Sequence, residues 1–223
     1  KTLITMMTSI TKTGLAAILS IVCLPEVIAQ NADALLTKLS EKAKNYGTVS
    51  ASYTSEMVDL KNDFNESMEG EIIIEGAKFN LDLEEYVVIS DGVTVWTYDT
   101  ESNECYVDDA KILIEDGMDP SKIFTIWEDN FTTEWKGRLL VNGKDCVQIN
   151  LYPSGDDEKS FHTLQLFIDD EAMEVVRLIV KGREGTDTEY NISQFETGVQ
   201  ISNDVFKFSE NKYPGVSIID NRI

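Results

Sequence analysis

Between residues 31 and 46 the apolar positions Leu35, Leu36, Leu39, Ala43 and Tyr46 recur at helical spacing, and Gly47 ends the pattern. Beyond it the period falls to two. Val49, Ala51 and Tyr53 alternate with polar neighbours, Met68 to Ile74 forms an apolar arm, and Phe79, Leu81 and Leu83 alternate with Lys78, Asn80 and Asp82. Residues two apart on a strand share one sheet face, so this alternation predicts half-buried strands. Asp91-Gly92 separates Val87-Val88-Ile89 from an arm holding Val95, Trp96 and Tyr98, and the dipeptide suits a turn that needs positive φ. Asn142-Gly143 repeats the device between Gly137–Val141 and Val147, Ile149 and Leu151. An acidic loop, Gly155 to Glu158, precedes Leu164, Leu166 and Ile168. Asp169-Asp170-Glu171 then turns the chain into Val175–Val180, and Tyr190-Asn191-Ile192 opens the last long arm. Asp119-Pro120-Ser121 predicts the start of a short mid-chain helix carrying Ile123, Phe124, Ile126 and Trp127, because Pro lacks an N–H that a first turn does not use. No internal repeat, linker or low-complexity segment interrupts this order. The pattern predicts a mainly β (α+β) fold, one antiparallel sheet with a leading and a mid-chain helix.

The first 29 residues read differently. Lys1 and Lys12 flank a Thr/Ser/Met-rich lead, Gly14 to Leu24 is a short apolar run, and Val27-Ile28-Ala29 supplies the small or branched residues of a cleavage site. This is the pattern of a secretory signal peptide cleaved after Ala29. The run is about half of the ~20 apolar residues a membrane span needs. Cys23 lacks the small residue that usually precedes a lipidated cysteine. Residues 30–223 then form one domain, large enough for a sizeable core.

Charge narrows the function. The chain carries 19 basic and 40 acidic residues, a net charge of −21. Without Lys1, Lys12 and Glu26 the balance is 17 to 39, a net −22. Such a surface repels phosphate backbones and anionic headgroups, which argues against nucleic-acid partners. Cys105 and Cys146 remain in the expected secreted domain, and sequence leaves their pairing open. Reaction chemistry is thin. The single histidine, His162, has no neighbouring ligand at metal spacing, and no nucleophile elbow occurs. Asp99-x-Glu101-x-Asn103 imitates the start of a calcium loop, but Glu104 stands where the loop needs Gly and Ala110 where it needs the closing Glu. No cofactor or metal is expected. What remains is aromatic surface. Trp96 with Tyr98, Phe79 with Leu81, and Phe124 with Trp127 either fill a core or line a cavity, and alternation alone does not separate the two.

Four stretches carry a resemblance: Ala51–Thr54 ("ASYT"), Glu69–Leu81 ("EGEIIIEGAKFNL"), Ser90–Asp99 ("SDGVTVWTYD") and Tyr213–Arg222 ("YPGVSIIDNR"), the last preceded by Phe206-Lys207-Phe208. In this order and spacing they resemble the LolA family of periplasmic lipoprotein carriers over nearly all of residues 30–223. The resemblance implies an incomplete antiparallel β-barrel, a curved sheet whose open face is covered by a helical lid over an apolar cavity. It implies a non-enzymatic, monomeric periplasmic carrier that binds the acyl chains of lipoproteins. Its partners would be an inner-membrane ABC-type releasing complex and an outer-membrane acceptor. A sensor or binding module of the same fold, for another lipid or glycolipid, is the alternative. The implied cavity residues are Leu36, Leu39, Ala43, Tyr53, Ile72, Ile74, Phe79, Leu81, Trp96, Tyr98, Phe124 and Trp127. One departure stands out: many members have an Arg-Pro pair after the strand matching Ile72–Ile74, the Arg latching the lid, and this chain has Gly76-Ala77. Closure is then expected to rest on apolar contact, with Tyr46 or Lys78 adding hydrogen bonds.

Overall fold

A computed structural model describes residues 25–111, 119–128, 130–154 and 159–222. Most of the predicted leader, residues 1–24, lies outside them, as do part of the mid-chain connection and the acidic loop at 155–158. The leading helix α1 runs over Pro25–Ala43. Its described part already starts upstream of residue 31, where the apolar spacing predicts a helix.

Twelve strands follow: β1 (Thr48–Asp59), β2 (Phe64–Glu75), β3 (Lys78–Asp82), β4 (Tyr86–Ser90), β5 (Thr94–Asp99), β6 (Glu104–Asp109), β7 (Phe131–Val141), β8 (Lys144–Pro153), β9 (Phe161–Asp169), β10 (Glu174–Gly182), β11 (Thr186–Thr197) and β12 (Ser217–Asp220). They form one curved, open sheet in the order β12-β6-β5-β4-β3-β2-β1-β11-β10-β9-β8-β7. The β7 and β12 edges do not meet, so the barrel is incomplete, as expected. The sheet is not purely antiparallel, however, because β12 pairs parallel to β6. A parallel neighbour requires a long crossover. The crossover is the C-terminal segment 198–216, which leaves β11 at the middle of the sheet and returns to its edge. Both predicted hairpins form. Asn142 and Gly143 take φ of 52° and 81°, and the Asp91 carboxylate accepts hydrogen bonds from the Val93 and Thr94 amides at 2.9 and 2.8 Å.

The mid-chain helix does not form as a helix. Residues 119–128 make two 3-10 turns, Pro120–Lys122 and Ile126–Glu128, the first capped by the Asp119 carboxylate on the Ser121 amide at 3.0 Å. An isolated helix of so few residues is marginal, and β-branched Ile123, Thr125 and Ile126 weaken it further. The connection also has a distance to cover. At one end Ala110 N–H donates to the Val93 carbonyl, in the turn beside the β2–β3 hairpin tip. At the other, Ser154 N–H donates to the Asn130 carbonyl, where β8 finishes. Strand registers put these points at opposite ends of the sheet, and between them the described residues 119–128 lie against the inner face as a strap.

The cysteines are buried free thiols in separate clusters. Asp99 uses its carboxylate to accept the Glu101 and Ser102 amides at 2.9 and 3.1 Å. The supposed calcium-loop carboxylate is a turn cap, and the Ser102 amide, with that of Glu101, lowers its acid from the ordinary value.

Candidate functional site: the inner face of the sheet

Helix α1 covers one half of the inner face. Ala32, Leu36 and Leu39 pack on Val147, Ile149 and Leu151 of β8 and on Leu164, Leu166 and Ile168 of β9, all buried. The helix is pinned at its middle and at its C-terminal end. Thr133 Oγ1 donates to the Asp33 carboxylate at 2.7 Å, and Lys42 Nζ donates to the Ala172 carbonyl at 2.6 Å.

The other half is built from β3, β2, β1 and β11. Register places Ile74 opposite Phe79 and Val49, and Ile72 opposite Leu81 and Ala51, so these side chains share the inner face. A bulge at Ser193 restores the pattern across β11. Tyr53 faces Ile192 while Ala51 faces Phe195, so both β11 residues point inward although three apart. Phe79 is fully buried, and Ile72 and Ile74 are each 5% exposed. The strap closes this half with Ile123 and Phe124. Phe124 meets Phe195 and Tyr46 edge-on, with ring centroids 5.2 and 6.4 Å apart. Its neighbour Trp127 reaches the helix-covered cluster and donates from Nε1 to Ser40 Oγ at 2.7 Å, a buried hydrogen bond. Tyr46 sits where α1 hands over to β1. Its hydroxyl donates to the Met173 carbonyl at 3.4 Å, and burial, then the Glu174 charge, pushes its pKa up to about 12.

Seven of the expected cavity residues therefore meet: Ala43, Tyr53, Ile72, Ile74, Phe79, Leu81 and Phe124. Leu36, Leu39 and Trp127 lie in the adjoining cluster under α1. Trp96 and Tyr98 do not join them, which corrects their placement in the cavity. Phe79 pairs with Ser90 and Ser90 with Val95, so Val95 faces inward and its neighbours Trp96 and Tyr98 face out. There they pack with Cys105 and Val107 under Phe208, Tyr213 and Val216 of the C-terminal segment. Tyr98 lies 4.1 Å from Tyr213, centroid to centroid. Lys78 is also corrected. It faces outward, paired with Glu75 and donating to Asn203 Oδ1 at 3.0 Å, away from the strap. Gly76 is in the β2–β3 turn at φ 61° with open space where a Cβ would stand, so an Arg there is strained by its backbone rather than by its neighbours.

The residues the pattern missed are Ser40, Tyr190, Ile192 and Phe195. Ser40 had a signal, a polar side chain one residue past Leu39 on the apolar stripe. The bulge that turns Phe195 inward had none.

Among the described residues no group of three His, Cys, Asp or Glu could hold a metal ion. No described helix is long and apolar enough to cross a membrane.

The family model described as "Outer membrane lipoprotein carrier protein LolA" matches residues 44–209. No curated protein matches the chain. Among solved structures, an uncharacterized conserved protein from Thermus thermophilus is 10% identical, covering 86% of this chain and 100% of its own, with a TM-score of 0.57. A LolA superfamily protein from Nitrosomonas europaea is 8% identical over 79% and 97%, with a TM-score of 0.46. The lipoprotein LppX from Mycobacterium tuberculosis is 9% identical over 76% and 99%, with a TM-score of 0.47. At such identities the likeness is one of fold.

Proposed function

The chain belongs to the LolA family, non-enzymatic carriers of the periplasm, and from that premise we propose that it carries lipoproteins by their acyl chains, held against the inner face of β1–β3 and β11 beneath the strap. It works as a monomer, taking its load from an inner-membrane ABC-type complex and passing it to an outer-membrane acceptor. The signal sequence ending at Ala29 delivers it to the periplasm.

The observation that supports this reading is the manner in which the apolar patch is closed. A sealed core is covered by an element that cannot leave. Here Ile72, Ile74 and Phe79 are covered by ten described residues without regular helix, held at the end of α1 by the Trp127–Ser40 hydrogen bond and by Glu128 paired with Lys44 at 3.0 Å. Phe124 occupies, in the closed form, the volume an acyl chain takes when the strap lifts. Each methylene moved out of water is worth ~0.8 kcal/mol, so a triacylated cysteine does not cross an aqueous gap unshielded. An apolar wall without directional anchors shields such chains yet lets them go.

Native mass spectrometry of the protein purified from periplasm tests this. A co-purifying triacylated lipoprotein is the expected outcome. A free lipid or glycolipid instead identifies the sensor or lipid-binding role of the same fold, and apo protein that also fails to release lipoproteins from membrane vesicles sinks both.

A further inference from the structure

Along β1 and β2 the inner face changes character from one end to the other. At the strap end stand Val49, Ala51, Ile72 and Ile74. Register then places Tyr53 opposite Gly70, Ser55 opposite Met68, and Met57 opposite Glu66, a progressively more polar surface. Tyr53 and Tyr190 mark the boundary. Their rings meet edge-on at 5.8 Å, Tyr190 standing opposite Ser55. Gly70 makes the arrangement possible, because a Cβ there would collide with the Tyr53 ring and hydroxyl.

Both phenols are half-buried, and burial raises both acids, Tyr53 further through Tyr190 and Asp82. Among the described residues neither hydroxyl meets a hydrogen-bond partner, although no fully buried side-chain oxygen or nitrogen lacks one. Two neutral donors therefore stand uncommitted at the border between an apolar wall and a polar mouth. A hydroxyl in such a place recognises an acceptor that belongs there.

We propose that Tyr53 and Tyr190 form a polar collar that donates hydrogen bonds to the ester carbonyls of a bound acylglycerol group, fixing its direction. The acyl chains run toward Ile72 and Ile74 under the strap, and the glycerol faces Met68 and Glu66. This rests on the carrier reading and adds a preference within it: esters over ethers of equal chain length.

The test compares dioctanoylglycerol with its dioctyl ether analogue, each titrated into the native protein and into the double variant Tyr53→Phe/Tyr190→Phe. Removing two neutral hydrogen bonds should lower the ester-to-ether affinity ratio about tenfold, because the carbonyl is the stronger acceptor. The infrared carbonyl band of the bound ester should move to higher wavenumber in the variant. An unchanged ratio overturns the collar while leaving the carrier reading intact. If neither lipid binds the native protein, the carrier reading fails and the collar with it. Should the double variant melt far below the native protein, each single variant carries the test, with about a threefold change expected.

Discussion

The two halves of the inner face are covered in contrasting ways. Over β8 and β9, aliphatic side chains meet a 19-residue helix tied at its middle and at its C-terminal end. Over β1–β3 and β11, the apolar floor meets a strap of two 3-10 turns whose contacts are largely aromatic edges. Apolar area is buried in both, but the helix packs an aliphatic stripe onto two strands, whereas the strap is held at the end of the helix by few polar ties, Trp127 to Ser40 and Glu128 to Lys44. Stability in one half and exchange in the other can therefore be separated in a single sheet.

The largest effect bears on how far that contrast goes. Phe79 is fully buried, so Phe79→Glu places an unpaired charge at the floor and should cost several kcal/mol. Loss of the cooperative melt is expected by circular dichroism. A variant that folds normally would make the floor an open lipid wall even without cargo. Next, Leu166→Ala beneath the helix should cost ~2–5 kcal/mol in urea unfolding, as cavities in close-packed cores do. Phe124→Ala should fall short of the ~3–5 kcal/mol that a sealed phenylalanine costs, and should quicken exchange of a fluorescent fatty-acid probe. Equal losses at the two sites would make the strap part of the permanent core. Smaller again, Trp127→Phe removes the hydrogen bond to Ser40 for about 1 kcal/mol. Hydrogen exchange should rise at Ile123 and Phe124 and stay unchanged at Leu164 and Leu166.

The smallest effect is alkaline. Tyr46 titrates at about 12 in the fold because burial disfavours its anion, against an ordinary value near 10. Its contribution is whole below pH 10 and declines as pH rises toward 12. Protection of the strap should fall in that window ahead of β9, and Tyr46→Phe should abolish the difference.

Much of this was legible beforehand. Alternation found the strands, Asp91-Gly92 and Asn142-Gly143 marked their turns, and the helical stripe at Leu36 and Leu39 was correct about burial. The mid-chain segment misled, because a capping Asp, a Pro and helically spaced apolar residues also suit two successive 3-10 turns. Trp96 and Tyr98 mislead for another reason. Alternation states that they share a face, and they do; it does not state which one.

Periodicity, turn positions and the excess of acid can be read directly along the chain, for each is written in neighbouring residues. Strand pairing sets the sign of each face, since the Phe79–Ser90–Val95 register that turns Trp96 outward is a relation between strands. The tertiary structure also decides what covers each face. The C-terminal segment seals the outer aromatics and the strap closes the inner patch, through contacts such as Trp127 with Ser40, 87 residues apart. A local pattern constrains what a residue buries; the partner that buries it is chosen by packing across the whole chain.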